Sequence, residues 1–130
     1  MLVAYSFSTY AADNAMLAHS LDSLQAQMEL LNRMPQNDSF RLQQAKTWRI
    51  YALTAQKVGR TEEAQEYALK AQKTFLDLQE DSWASLCLYE RCIAYNSIGD
   101  TTHLRELLGE LKNLALRDTA ALTQYNYYSI

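Results

Sequence analysis

The chain has few of the residues that punctuate a sheet. Only three glycines, Gly59, Gly99 and Gly109, and one proline, Pro35, occur in 130 residues. A sheet-rich fold needs turn residues far more often than that, so this class is excluded on punctuation alone. Positive charge is also scarce: twelve Lys and Arg stand against fifteen Asp and Glu, for a formal charge of -3. Scattered as they are, these cations offer no field to a polyanion, and direct nucleic acid contact by this segment is not expected. No basic residue precedes Arg33, so the apolar start MLVAYSFSTYAA lacks a charged leader region. That run is also too short to span a bilayer, and no membrane span is expected. Cysteine is limited to Cys87 and Cys92. Five positions apart on a helix, they lie about 140° from each other, which rules out an internal disulfide or a shared metal.

What fills the chain is Ala, Leu, Gln, Glu, Lys and Met, residues that lose little rotamer freedom in a helix. Their periodicity predicts a first helix over Leu2 to Ala11, a polar break at Ala12-Asp13-Asn14, and a second helix over Ala15 to Arg33. In that second helix Leu17, Leu21, Leu24, Met28 and Leu31 advance by three or four positions and form one stripe. Pro35 ends it. Asp38 or Ser39 is expected to cap a third helix that carries Phe40, Leu42, Ala45, Trp48, Tyr51, Ala52 and Ala55 to Val58, where Gly59 closes it. Thr61 is expected to cap a fourth helix reaching Leu78, with Glu62 and Glu63 at the positive end of its dipole. Asp81 or Ser82 opens a fifth that ends at Ile98-Gly99, and Asp100-Thr101 introduces a sixth with the stripe Leu104, Leu107, Leu108, Leu111, Leu114. The last residues, AALTQYNYYSI, begin a seventh.

A shift of 40 residues superimposes these features. Val58-Gly59 falls on Ile98-Gly99, Thr61 on Thr101, Ala64 on Leu104, Ala68 on Leu108 and Ala71 on Leu111, while Trp48, Ala52 and Leu53 meet Leu88, Cys92 and Ile93. Apolar spacing, turn glycine and cap residue agree under one shift, as in a helical repeat array. An ordinary antiparallel bundle with glycine at similar turns is the alternative.

Between Ala45 and Phe75 the chain resembles a tetratricopeptide repeat. The resemblance rests on Trp48, the small Ala52, the helix-ending Gly59, then Thr61-Glu62-Glu63-Ala64 with Tyr67-Ala68 and Ala71. Cys92, Tyr95, Gly99, Leu104, Leu108 and Leu111 repeat it more loosely, with Leu where the family prefers Ala. The period is 40 instead of the usual 34, a difference assigned to longer helices and an extended connection around Leu78-Gln79-Glu80-Asp81. HEAT-type repeats have a compatible length, but their proline in the first helix is not apparent. The resemblance implies an all-α fold of antiparallel helix-turn-helix repeats stacked as a right-handed superhelix, an α-solenoid. One such domain would occupy 1–130, with helix pairs over about 2–33, 38–78 and 82–117 and a further helix starting at 119. The uncapped, aromatic end at Tyr125, Tyr127 and Tyr128 is read as a piece of a longer array, whose open ends would also offer surfaces for self-association.

The same resemblance implies that the first helix of each pair lines a concave groove. The groove-facing residues would be Arg49, Leu53 and Gln56, then Tyr89, Ile93 and Asn96, with Asn126 and Ser129 beyond. Amides, an arginine and aromatics in that arrangement suit a protein or peptide partner. A second reading is the sensory or regulatory segment of a larger bacterial signalling or transcription regulator, similar to those in which such repeats flank a DNA-binding region. Trp48 and Trp83 are read as packing residues. No catalytic constellation, cofactor motif or metal set is found: His19 and His103 are read as lone surface histidines, Cys92 as a small buried hydrophobe, and each glycine is isolated. The chain is therefore read as non-catalytic.

Overall fold

The computed structural model describes residues 2–116, with side chains from residue 16 onward. It consists of five α-helices: α1 Leu2–Asn32, α2 Asp38–Lys57, α3 Thr61–Asp77, α4 Asp81–Ser97 and α5 Thr101–Ala115. No strand occurs among the described residues. Each helix packs on its neighbours in the chain, α1 on α2, α2 on α3, α3 on α4 and α4 on α5. That order is consistent with a helical repeat.

Three joints set this arrangement. Gly59 has φ of 85°, Gly99 has φ of 74°, and between them Gln79 has φ of 60°. Behind each left-handed residue the next amide reaches back five positions: Arg60 N–H donates to Ala55 O at 2.9 Å, Glu80 N–H to Phe75 O at 2.8 Å, and Asp100 N–H to Tyr95 O at 3.0 Å. The left-handed residues themselves donate to Gln56 O, Leu76 O and Asn96 O. These paired bonds are the Schellman ending, which satisfies carbonyls that a helix terminus would leave bare. The carbonyls of Arg60, Glu80 and Asp100 then accept from the amides of Ala64, Ala84 and Leu104, so one residue finishes one helix and starts the next. The spacing from joint to joint is therefore 20 residues, half of the 40-residue register seen in the sequence.

Four sequence expectations are corrected here. The break at Ala12-Asp13-Asn14 is absent, and α1 runs through it. Flanking alanines favour the helix, and Asp and Asn cost only a few tenths of a kcal/mol each where no glycine or proline intervenes. The connection at Leu78-Gln79-Glu80 is not extended but as tight as the two glycine joints. The cap of α2 is Asn37, whose Oδ1 accepts from Phe40 N–H at 3.0 Å, one position before the expected Asp38 or Ser39. Finally, Arg60 and Glu80, not Thr61, Asp81 or Ser82, cap α3 and α4, and neither does so through its side chain. Asp100 does cap α5 through Oδ1 to His103 N–H at 3.1 Å. The seventh helix, with Asn126 and Ser129, lies outside the described residues.

Two apolar clusters run along the stack. One joins α1 to the α2–α3 pair through Leu21, Met28, Tyr51, Ala55 and Ala64. The other joins α2 through Ala45 to α3, α4 and α5, and its largest buried members are Phe75, Leu88 and Leu111. Trp48 packs against both clusters. Trp83 stacks on Phe75 with ring centroids 5.4 Å apart and has Lys46 over its face at 5.1 Å. Tyr51 is fully buried, and its hydroxyl donates to Glu63, as a buried phenol requires.

The joints yield a stability test. An alanine at Gly59 or Gly99 would meet no atom within 4 Å, so the cost is conformational alone, about 1 kcal/mol each. Gln79→Gly should stabilise by a similar amount, up to ~1 kcal/mol, because it relieves the same left-handed penalty. Urea unfolding measures both. If Gln79→Gly instead destabilises as a glycine inside a continuous helix does, the joint at 78–80 is not as described.

Candidate functional site

The sequence places only two charged residues between Asp81 and Asp100, namely Glu90 and Arg91. Both lie at the junction of α2, α3 and α4. Glu90 turns to α2, where its Oε1 accepts from Arg49 Nε at 2.8 Å and from Nη2 at 2.5 Å. The two side chains are 16% and 21% exposed, so the pair is largely desolvated. Burial pushes the Glu90 carboxyl above its usual range, while the hydrogen bonds and charge of Arg49 pull it back only in part. Arg91 turns to α3 and donates from Nη1 to Gln72 Oε1 at 2.5 Å and from Nε to Gln65 Oε1 at 3.4 Å.

Above these groups lies an open groove. One part of it has a floor of Ala52, Ala64, Ala68 and Ala94 and about 280 Å³ of empty space open to solvent. The adjoining part, about 490 Å³, is walled by Leu53 and Lys57 of α2 and by Ile93 and Ser97 of α4. Leu53, Gln56, Glu90 and Ala94 border both parts, which makes them one continuous feature. Small side chains create the space, because three helices meet where four alanines leave their volume unfilled. Gln56 Oε1 is buried there without a hydrogen-bond donor. An unpaired buried carbonyl is costly and calls for a donor.

Of the residues expected to face a groove, Leu53, Gln56 and Ile93 are thus brought together. Arg49 is not, because Glu90 draws its guanidinium into an ion pair. Tyr89 is half-buried and Asn96 exposed, and neither borders this groove. Asn126 lies outside the described residues. The sequence reading missed Glu90, Arg91 and the alanine floor. The one available signal was the isolated charged pair in an α4 that is uncharged from Ser82 to Ser97 apart from it.

Elsewhere the chemistry is sparse. Cys87 and Cys92 are buried, and burial pushes their thiols up to about 12 and about 11. His103 is not alone as expected. Its Nδ1 lies 2.7 Å from Asp100 Oδ2 at the start of α5, and its ring stacks on Tyr95 at 4.8 Å. No group of three His, Cys, Asp or Glu side chains placed to hold a metal occurs among the described residues. No described helix is long and apolar enough to cross a membrane. Compared with known proteins, the chain matches no family model, no curated protein and no solved structure.

Two outcomes test this site. With Arg49→Met, Glu90 keeps its burial but loses its counter-charge, which should cost about 2 kcal/mol at pH 7, less than the ~3–5 kcal/mol of a fully dry pair. A carboxyl whose folded pKa is raised destabilises the fold when ionised, so the loss should shrink as the pH falls toward about 4.5. Urea titrations at several pH values read this, and a pH-independent loss would contradict it. Separately, Ellman's reagent at neutral pH should label neither thiol in the folded protein and both after unfolding.

Proposed function

We propose that this chain is a non-catalytic interaction module that binds a protein or peptide in the groove between α2 and α4, on the concave side of a right-handed, tetratricopeptide-like superhelix. The observation that carries the reading is the convergence of Leu53, Gln56 and Ile93 on one open groove with a buried, donorless carbonyl in its wall. Apolar contacts from Leu53 and Ile93 would supply affinity. The Gln56 carbonyl would supply direction, since a peptide backbone presents N–H donors at regular intervals. The large exposed fraction of Ile93, 46%, supports this role, because an apolar side chain left in water at a concavity gains from being covered.

The test is selection of a randomised heptapeptide library displayed on phage against the purified chain. Ile93→Asp changes an exposed side chain and should leave the circular dichroism spectrum and unfolding midpoint unchanged. The native chain should enrich a family of peptides, and Ile93→Asp should bind those peptides at least about tenfold more weakly, the consequence of burying an unpaired charge. No enrichment, or equal binding by the variant, would remove the groove as the binding surface.

A further inference from the structure

The charge around the groove does not balance, and the excess lies on Arg91. This side chain is half-buried, yet both of its partners, Gln65 and Gln72, are neutral amides. No carboxylate among the described residues pairs with it. Glu90 is its sequence neighbour but is engaged by Arg49 on another helix. A partly desolvated guanidinium is ordinarily matched by a carboxylate, and two amides can orient it without neutralising it. No described residue accepts from its Nη2, and the side chain borders the alanine-lined groove. Lys57 adds a second cation on the exposed rim. With Glu90 neutralised by Arg49, the groove is bordered by two cations without a carboxylate partner, Arg91 and Lys57, in a chain whose formal charge is -3.

Three features of the groove therefore specify complementary features in an occupant. The alanine floor offers an apolar surface to an aliphatic side chain. The donorless Gln56 Oε1 accepts an N–H. The uncompensated Arg91 attracts an anion. We infer that the groove selects an extended acidic–aliphatic peptide, with a Leu, Ile or Val side chain over Ala52, Ala64, Ala68 and Ala94, a backbone N–H donated to Gln56 Oε1, and an Asp or Glu within two positions held by Arg91. This inference rests on the peptide-binding reading above and adds the chemistry of the ligand. A basic peptide would bring like charge to Arg91 and Lys57. A polyanion such as nucleic acid would need a basic stripe that this acidic chain does not carry.

The experiment uses three synthetic heptapeptides, acetylated and amidated at their ends and labelled with fluorescein, that present Leu-Glu, Leu-Gln or Leu-Lys at the centre of a Gly-Ser frame. Fluorescence anisotropy should give the tightest binding for Leu-Glu, with at least tenfold weaker binding for Leu-Gln and more for Leu-Lys. The preference should weaken as salt rises. Arg91→Gln should bring Leu-Glu and Leu-Gln to within about twofold of each other, and Arg91→Lys should restore part of the preference. Lys57→Gln, at an exposed position, should reduce it by a smaller factor. Equal binding of all three peptides that Ile93→Asp still abolishes would overturn the acidic preference and leave the groove intact. Failure of all three peptides, together with no enrichment from the randomised library, would overturn both readings.

Discussion

A helix in this chain stops where one residue takes a left-handed backbone and the amide after it reaches back to the carbonyl five positions earlier. That event occurs at residues 59, 79 and 99, and everything else follows from its spacing. Because the residue that ends one helix also starts the next, the chain reverses within three residues and neighbouring helices pack closely. Equal spacing gives α3 and α4 the same length, and small residues at Ala52, Ala64, Ala68 and Ala94 line one groove. The groove is a consequence of that alignment. A joint displaced by one residue would rotate a helix by about 100° and carry its alanines out of the floor.

Polar groups at the three-helix junction are arranged on the same frame. Arg49 and Glu90 link α2 to α4, while Arg91 ties α4 to α3 through two glutamines. Burial works against the Glu90 charge, and Arg49 compensates for only part of that. A junction made of ions in place of methyl groups is a poor route to stability. The Arg49–Glu90 bond ties α4 to α2 beside the wall where Ile93 and Ala94 stand opposite Leu53. Gln56, the one residue with a buried donorless side-chain atom among the described residues, occupies the same wall.

The sequence carried the helices, because their stripes and glycine stops are strong local signals, and α2 through α5 fall close to their expected bounds. It carried the repeat at 40 residues, the length of one helix pair and twice the spacing between joints. The middle joint was placed near Leu78 but read as extended, because it bears Gln79 where the other two bear glycine, and a left-handed glutamine leaves no compositional trace. Hindsight shows a weaker mark, an apolar residue before each left-handed position at Val58, Leu78 and Ile98. The continuity of α1 was misread because Asp13 and Asn14 resemble a break while costing little inside an alanine-flanked helix. At the site, Leu53, Gln56 and Ile93 were legible from helical spacing. Arg49 was not, since whether a long cation faces a groove or a buried carboxylate depends on a contact 41 positions away.

The most direct test of the twenty-residue joint is solution NMR of the backbone, with φ at residues 59, 79 and 99 obtained from chemical shifts and dipolar couplings. Positive φ at all three, with slow amide exchange at Arg60, Glu80 and Asp100, is the predicted result. A right-handed helical φ at Gln79, making α3 and α4 one continuous helix, would contradict the account and remove the groove with it.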